Sequence, residues 1–331
     1  MTASCANMMG GKNAPLDEVT DHGGSLARAE RLFPDAPKPW LDLSTGINPH
    51  PYPTGDVPAS AFSRLPEEAR LRELTAAAAY AYGAPSHDLV VAAPGTQILL
   101  PLTASLIPPG RAAIWSPTYA EHRRAAALAG HAVSECADLD QLAAADLAIV
   151  VNPNNPDGRR YGPGDLGAEF TVIDESFCDV APGRSLVPEV GEGRIVLKSF
   201  GKFWGLAGLR LGFAIGAPGD MARLRDLLGP WPASGPALEI GARALEDRAW
   251  AEATRVRLAG DAARLDALMA GEGALVGGTD LFRLYEVEDA AAFQARLAER
   301  HIWSRIFPYS TTWVRLGLPA PDQWARLEAV L

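Results

Sequence analysis

Short apolar runs recur between residues 90 and 216, and each stops at a polar residue or a glycine. Val90 to Pro94, Arg111 to Trp115, Asp146 to Val151, Phe170 to Asp174, Arg194 to Ser199 and Leu211 to Ile215 read as buried strands. They are brief, rich in Val, Ile and Ala, and bounded by turn formers. Ala- and Leu-rich stretches of helical character alternate with them: Glu67 to Tyr82, closed by Gly83, and a helix opening at Gly95. Strand alternating with helix is the pattern of an α/β, doubly wound, mostly parallel sheet. A further short strand begins at Leu41 and runs into a Pro-rich loop ending at Pro53. The pattern changes after Trp231. A long helical stretch from Glu239 to about Met269 leads to alternating strands at 280–287, 302–306 and 312–316, with helices at 289–300 and 321–331, a small α+β unit. The expected organisation is an N-terminal arm and short helix over 1–40, the helix at Leu26 to Phe33 capped by Ser25, then a large domain over 41–238 and a small one over 239–331.

Ligands of such sheets bind at strand ends, and several reactive side chains fall there. Lys202 follows the run ending at Ser199, in a Gly-rich turn that continues to Arg210. A lysine so placed is a surface residue, a phosphate anchor or an amine that condenses with a carbonyl. The hydroxyl of Ser199 and the guanidinium of Arg210 beside it suit a phosphate whose aldehyde meets that amine. Gly95-Thr-Gln97 opens a helix whose free amides bind anions. Asp174 ends one strand. Tyr119 follows another, where packing against the sheet is the ordinary fate of an aromatic. The loop Asn152-Pro-Asn-Asn-Pro-Asp-Gly158 is a turn former that needs no function, as is the His22-Gly23-Gly24 turn. Arg315, among apolar strand neighbours, calls for an anionic partner.

Composition narrows the classes. With 331 residues, 48% hydrophobic and 21% charged, the chain can bury a substantial core. A net charge of -10 argues against nucleic acid or an anionic membrane as the main partner. Cys5, Cys136 and Cys178 have neither metal-ligand spacing nor the even number of a disulfide framework, so the cytoplasm is expected. No charged start with an apolar core and no run approaching the roughly 20 residues of a membrane span is present. No His/Cys/Asp cluster suggests a metal, and the Gly-x-x-x-x-Gly-Lys-Ser/Thr phosphate loop is absent.

The Lys198 to Phe213 segment resembles the lysine segment of fold type I pyridoxal-phosphate (PLP) enzymes, the aspartate-aminotransferase-like superfamily, and its histidinol-phosphate aminotransferase branch. His22-Gly-Gly24 followed by Leu41-Asp-Leu-Ser-Thr-Gly-Ile-Asn-Pro49 is similar to the threonine-phosphate decarboxylases of cobalamin biosynthesis in that superfamily. The resemblance implies a seven-stranded large sheet, PLP as cofactor, Lys202 as its Schiff-base lysine, and Ser199, Arg210, Gly95, Thr96 and Gln97 around its phosphate. It further implies Tyr119 stacked on the pyridine ring, Asn155 on the 3-oxygen, Asp174 on the ring nitrogen and Arg315 on the substrate carboxylate. His22, Gly23, Gly24, Gly46, Ile47, Asn48 and Asn155 complete the implied substrate site. The implied reaction is decarboxylation of L-threonine O-3-phosphate to (R)-1-amino-2-propanol O-2-phosphate. The chain departs from the pattern at Asp157, where Thr is usual, at Phe177, where many aminotransferases have Tyr, and at Leu65. There a tyrosine of many relatives reaches the neighbouring subunit's cofactor phosphate; a homodimer is still expected. A histidinol-phosphate or related aminotransferase shares almost every motif and is the alternative. A non-catalytic PLP-binding module is disfavoured because no DNA-binding extension accompanies the cofactor residues.

Overall fold

The computed structural model of the chain describes residues 23–36 and 38–331. Its strands are β1 (Leu41–Asp42), β2 (Val90–Ala93), β3 (Arg111–Trp115), β4 (Ala132–Cys136), β5 (Leu147–Val151), β6 (Phe170–Asp174) and β7 (Arg194–Ser199). There follow β8 (Gly212–Ile215), β9 (Ala274–Thr279), β10 (Phe282–Glu286), β11 (Ile302–Trp303), β12 (Arg305–Phe307) and β13 (Ser310–Gly317).

The large sheet has seven strands in the order β2-β8-β7-β6-β5-β3-β4. All neighbours are parallel except β8, which runs antiparallel to both β2 and β7. Every residue of β5 and β6 is buried because helices cover both faces. Alternation along β7 shows the two layers. Ile195 and Leu197 belong to the core layer that contains Leu99, Leu100, Met221 and Leu224, while Val196 belongs to the layer on the other side with Leu74, Leu238 and Leu258. The Glu68–Tyr82 helix ends on Gly83 at φ 78°, the left-handed turn expected of a C-terminal glycine.

The small sheet is antiparallel, in the order β12-β13-β10-β9. Several expectations are corrected here. The strand at Leu41 does not join the large sheet; β1 pairs in parallel with β11, so the chain enters through the C-terminal unit. The seventh large-sheet strand is β4, whose Ala-Val-Ser-Glu-Cys sequence has one buried residue and no apolar run to announce it. β9 is equally inconspicuous, ending in Gly277-Gly278-Thr279. The long helix is two, Gly235–Glu246 and Arg248–Met269, because the Asp247 carboxylate caps the second by accepting from the Trp250 amide at 2.9 Å. Ser25 precedes the Leu26–Leu32 helix but its side chain makes no capping hydrogen bond.

Candidate active site

The C-terminal ends of the large sheet and the face of the small one enclose a cleft of about 1030 Å³. Lys202 enters it from the turn after β7. That turn is held from both sides. Asn48 and Gly205 amides donate to the Lys202 carbonyl at 3.0 and 3.1 Å, and the Tyr52 amide donates to the Trp204 carbonyl at 2.9 Å. Phe200 and Phe203 are fully buried, and Trp204 stacks on Phe200 and Trp250 at 5.3 Å. Aromatic burial thus fixes the turn around a half-buried lysine, whose Nζ sits 5.4 Å from the centre of the Phe177 ring. Burial, and then the Arg315 and Arg210 cations, lower the Lys202 pKa to about 8 against the opposing pull of Asp174. An amine so tuned has an appreciable neutral, nucleophilic fraction near physiological pH.

Asp174, at the end of β6, is 5% exposed. Its Oδ1 accepts from the Ser176 amide at 2.9 Å and hydroxyl at 2.5 Å, and its Oδ2 lies 2.9 Å from His122 Nε2. Burial alone would raise its pKa; the His122 hydrogen bond and charge, with Ser176, outweigh it and the pKa is lowered. His122 was not singled out from sequence, although it lies one helical turn after Tyr119 and packs edge-on to that ring at 5.9 Å.

At the opposite corner, Gly95 (φ 86°) begins the Thr96–Ala104 helix, and Thr96, Gln97, Ser199 and Arg210 line the cleft beside it. A Cβ on Gly95 would lie 2.6 Å from Arg210 Nη2, so a side chain here would be strained by the positive φ and would push the guanidinium aside. Arg210 itself adopts φ 53°, and its Nη1 donates to the Ala207 carbonyl at 3.0 Å.

Arg315 projects from β13 and is 6% exposed. Nη2 donates to the Ser44 carbonyl at 2.5 Å, Nη1 donates to Asn155 Oδ1, and Nε has no hydrogen-bond partner among the described residues. Burial, and then the Arg305 charge, lower its pKa to about 10. Arg305 stands directly opposite it on β12, and both line the cleft with Phe307, Tyr309 and Trp313. Like charges directly opposite on a sheet are unfavourable, and the pair concentrates positive charge at this end of the cleft.

The N-terminal residues divide. Gly23 and Gly46 line the cleft. The Gly24 amide instead donates to Ser44 Oγ at 2.7 Å, and Ile47 is not part of the lining. Asn48 is corrected: it is 2% exposed, with Nδ2 on the Phe203 carbonyl at 2.8 Å and Oδ1 accepting from the His50 amide at 2.9 Å. Its side chain braces the lysine turn and does not face the cleft. His22 lies outside the described residues.

At the strand ends of this sheet an amine, a buried carboxylate and an open helix start meet in one cleft, an arrangement suited to a ligand that carries both a carbonyl and a phosphate. Residues 61–330 match the model of the aminotransferase class I and II family. The chain belongs to that family. It is 43% identical to a threonine-phosphate decarboxylase of Sinorhizobium sp over 91% of this chain and 93% of that one. It is 39% identical to the Pseudomonas aeruginosa protein of that name, over 95% and 97%. Among solved structures, a Sinorhizobium meliloti histidinol-phosphate aminotransferase in complex with pyridoxal-5'-phosphate superposes with TM-score 0.79 at 21% identity, covering 98% of each chain.

Proposed function

We propose that this chain decarboxylates L-threonine O-3-phosphate to (R)-1-amino-2-propanol O-2-phosphate with PLP, a step in cobalamin biosynthesis. The guanidiniums of Arg315 and Arg305, which line the cleft from opposed positions on neighbouring strands, carry the reading: they suit a small amino acid with two anionic ends. The names of the relatives that align along nearly the whole chain favour this branch over the aminotransferase one.

The residues fit the cofactor. The opening beside Gly95, which a Cβ would fill, adjoins amides, a hydroxyl and Arg210, donors suited to a phosphate. In this reading Gly95, Thr96, Gln97, Ser199 and Arg210 hold the phosphate, Tyr119 covers the ring, Asn155 meets its 3-oxygen and Asp174 its nitrogen. When bound, PLP supplies an electron sink for the pair left on the α-carbon when carbon dioxide departs. Asp174, kept ionised by His122 and Ser176, holds a proton on the ring nitrogen. Arg315 grips the carboxylate, and Nη1 leaves Asn155 Oδ1 or shares it as the substrate arrives. Arg305, with Gly23 and the expected His22, receives the substrate phosphate, while Gly24, whose amide is held by Ser44 Oγ, fixes the turn beside them. Lys202 Nζ carries the proton delivered to the α-carbon.

We also assign a homodimer. Phe62 and Trp231 are 71% and 55% exposed around an apolar groove that also includes Ile98, on the helix opening at Gly95. A second copy would cover it. The buried free thiols of Cys136 and Cys178 suit a reducing cytoplasm. Among the described residues no helix is long and apolar enough to cross a membrane.

The test is to supply the protein with PLP and L-threonine O-3-phosphate, without a keto acid, and to follow carbon dioxide and the aminopropanol phosphate by mass spectrometry. Turnover only with histidinol phosphate plus 2-oxoglutarate would overturn the reading in favour of the aminotransferase.

A further inference from the structure

We propose that Glu121 is a positioning residue that sets the ring of Tyr119 over the cofactor site through the side-chain amide of Gln97. This rests on the reading of the cleft as the PLP site. The Tyr119 hydroxyl donates to Gln97 Oε1 at 3.1 Å, and Gln97 Nε2 donates to Glu121 Oε2 at 2.9 Å. The direction of this chain follows from chemistry. An ionised carboxylate offers only acceptors, so the amide must turn its NH2 toward Glu121 and its carbonyl toward Tyr119. The phenol is thereby defined as the donor. Burial, and then the charges of Glu121 and Asp174, push its pKa up to about 12, which keeps that proton in place at neutral pH.

Glu121 is 6% exposed although it opens the surface helix Glu121–Leu128. A carboxylate serving only the helix N-terminus would do so from solvent, without the cost of desolvation. Arg124 reaches the same Oε2 at 3.4 Å, but its side chain is 45% exposed and does not require its partner to be buried. From its buried position Glu121 reaches the Gln97 amide. Gln97 sits in the first turn of the helix whose amides face the phosphate corner, so the chain links the tilt of the Tyr119 ring to that corner. With Glu121 neutralised, the amide is free to present either end, and the ring loses a fixed anchor.

The test is a double-mutant cycle of Glu121→Gln and Tyr119→Phe in the full chain loaded with PLP. The readouts are the position of the visible cofactor band, the PLP dissociation constant from titration of the apoprotein, and the separate effects on kcat and KM. Each single change should shift the band and weaken PLP binding about threefold to tenfold, the scale of one hydrogen bond. The double variant should be no worse than Tyr119→Phe alone. Gln97→Met, which removes the side-chain relay while keeping the Gln97 backbone amide at the phosphate corner, should reproduce Glu121→Gln and guards against a folding artefact in either. An undiminished Glu121→Gln effect in the Tyr119→Phe background would overturn the inference, as would an unchanged band and affinity in Glu121→Gln. In those two outcomes a Lys202-dependent band persists and the cofactor reading stands. Absence of that band in the unmodified protein would sink both.

Discussion

Replacing Asp174 by Asn tests the electrostatic logic of the cleft with little change of shape. The amide oxygen keeps both Ser176 hydrogen bonds at the Oδ1 position, at 2.9 and 2.5 Å in the parent. Only the contact to His122, 2.9 Å from Oδ2, must exchange donor and acceptor roles, a change worth about 1 kcal/mol of stability. Catalysis should suffer far more. In the proposed reading the carboxylate, 5% exposed, would face the cofactor's ring nitrogen in a poorly solvated site, and removing one partner of a buried ion pair costs about 3–5 kcal/mol. If that cost falls on the transition state, kcat drops roughly a hundredfold to several-thousandfold. Steady-state turnover, urea denaturation and the cofactor absorption band measured together separate the two effects. A kcat within threefold of the parent, with the fold intact and PLP bound, would refute the assignment of Asp174 to the ring nitrogen.

Two further outcomes follow from the charges around the lysines. PLP uptake by the apoprotein should rise with pH through about 8 as Lys202 deprotonates. Arg315→Met removes a cation that disfavours the ammonium, so the inflection should move upward and uptake at pH 7.5 should slow, as read by stopped-flow absorbance. Lys198 is a different amine: 2% exposed, its Nζ is 2.7 Å from Glu175 and 3.7 Å from Asp179. Lys198→Met should cost about 3–5 kcal/mol of stability in urea denaturation by stranding those carboxylates, and Glu175→Gln added to it should restore part of the loss.

Strand ends, the glycine that opens the Thr96–Ala104 helix and the Lys202 turn were legible in the sequence because each needs particular residue types at short spacing. Gly95 needs its positive φ; Asp174 terminates an apolar run and Lys202 lies in the Gly-rich turn just past another; the helix over Glu68–Tyr82 carries its own stop at Gly83. Contacts between distant segments were not legible. β1 joins β11 across some 260 residues of chain through strands of two residues each, too short to carry a pattern. His122 reaches Asp174, and Arg305 stands beside Arg315, only because the sheets bring their strands together. Asn48 belongs to a segment that looks like substrate-binding sequence, yet the fold turns its amide onto the Phe203 carbonyl. Lys198 and Lys202 lie in one short peptide with the same chemistry at hand. Strand pleat sends the first under the sheet to Glu175, and the turn after β7 delivers the second to the cleft.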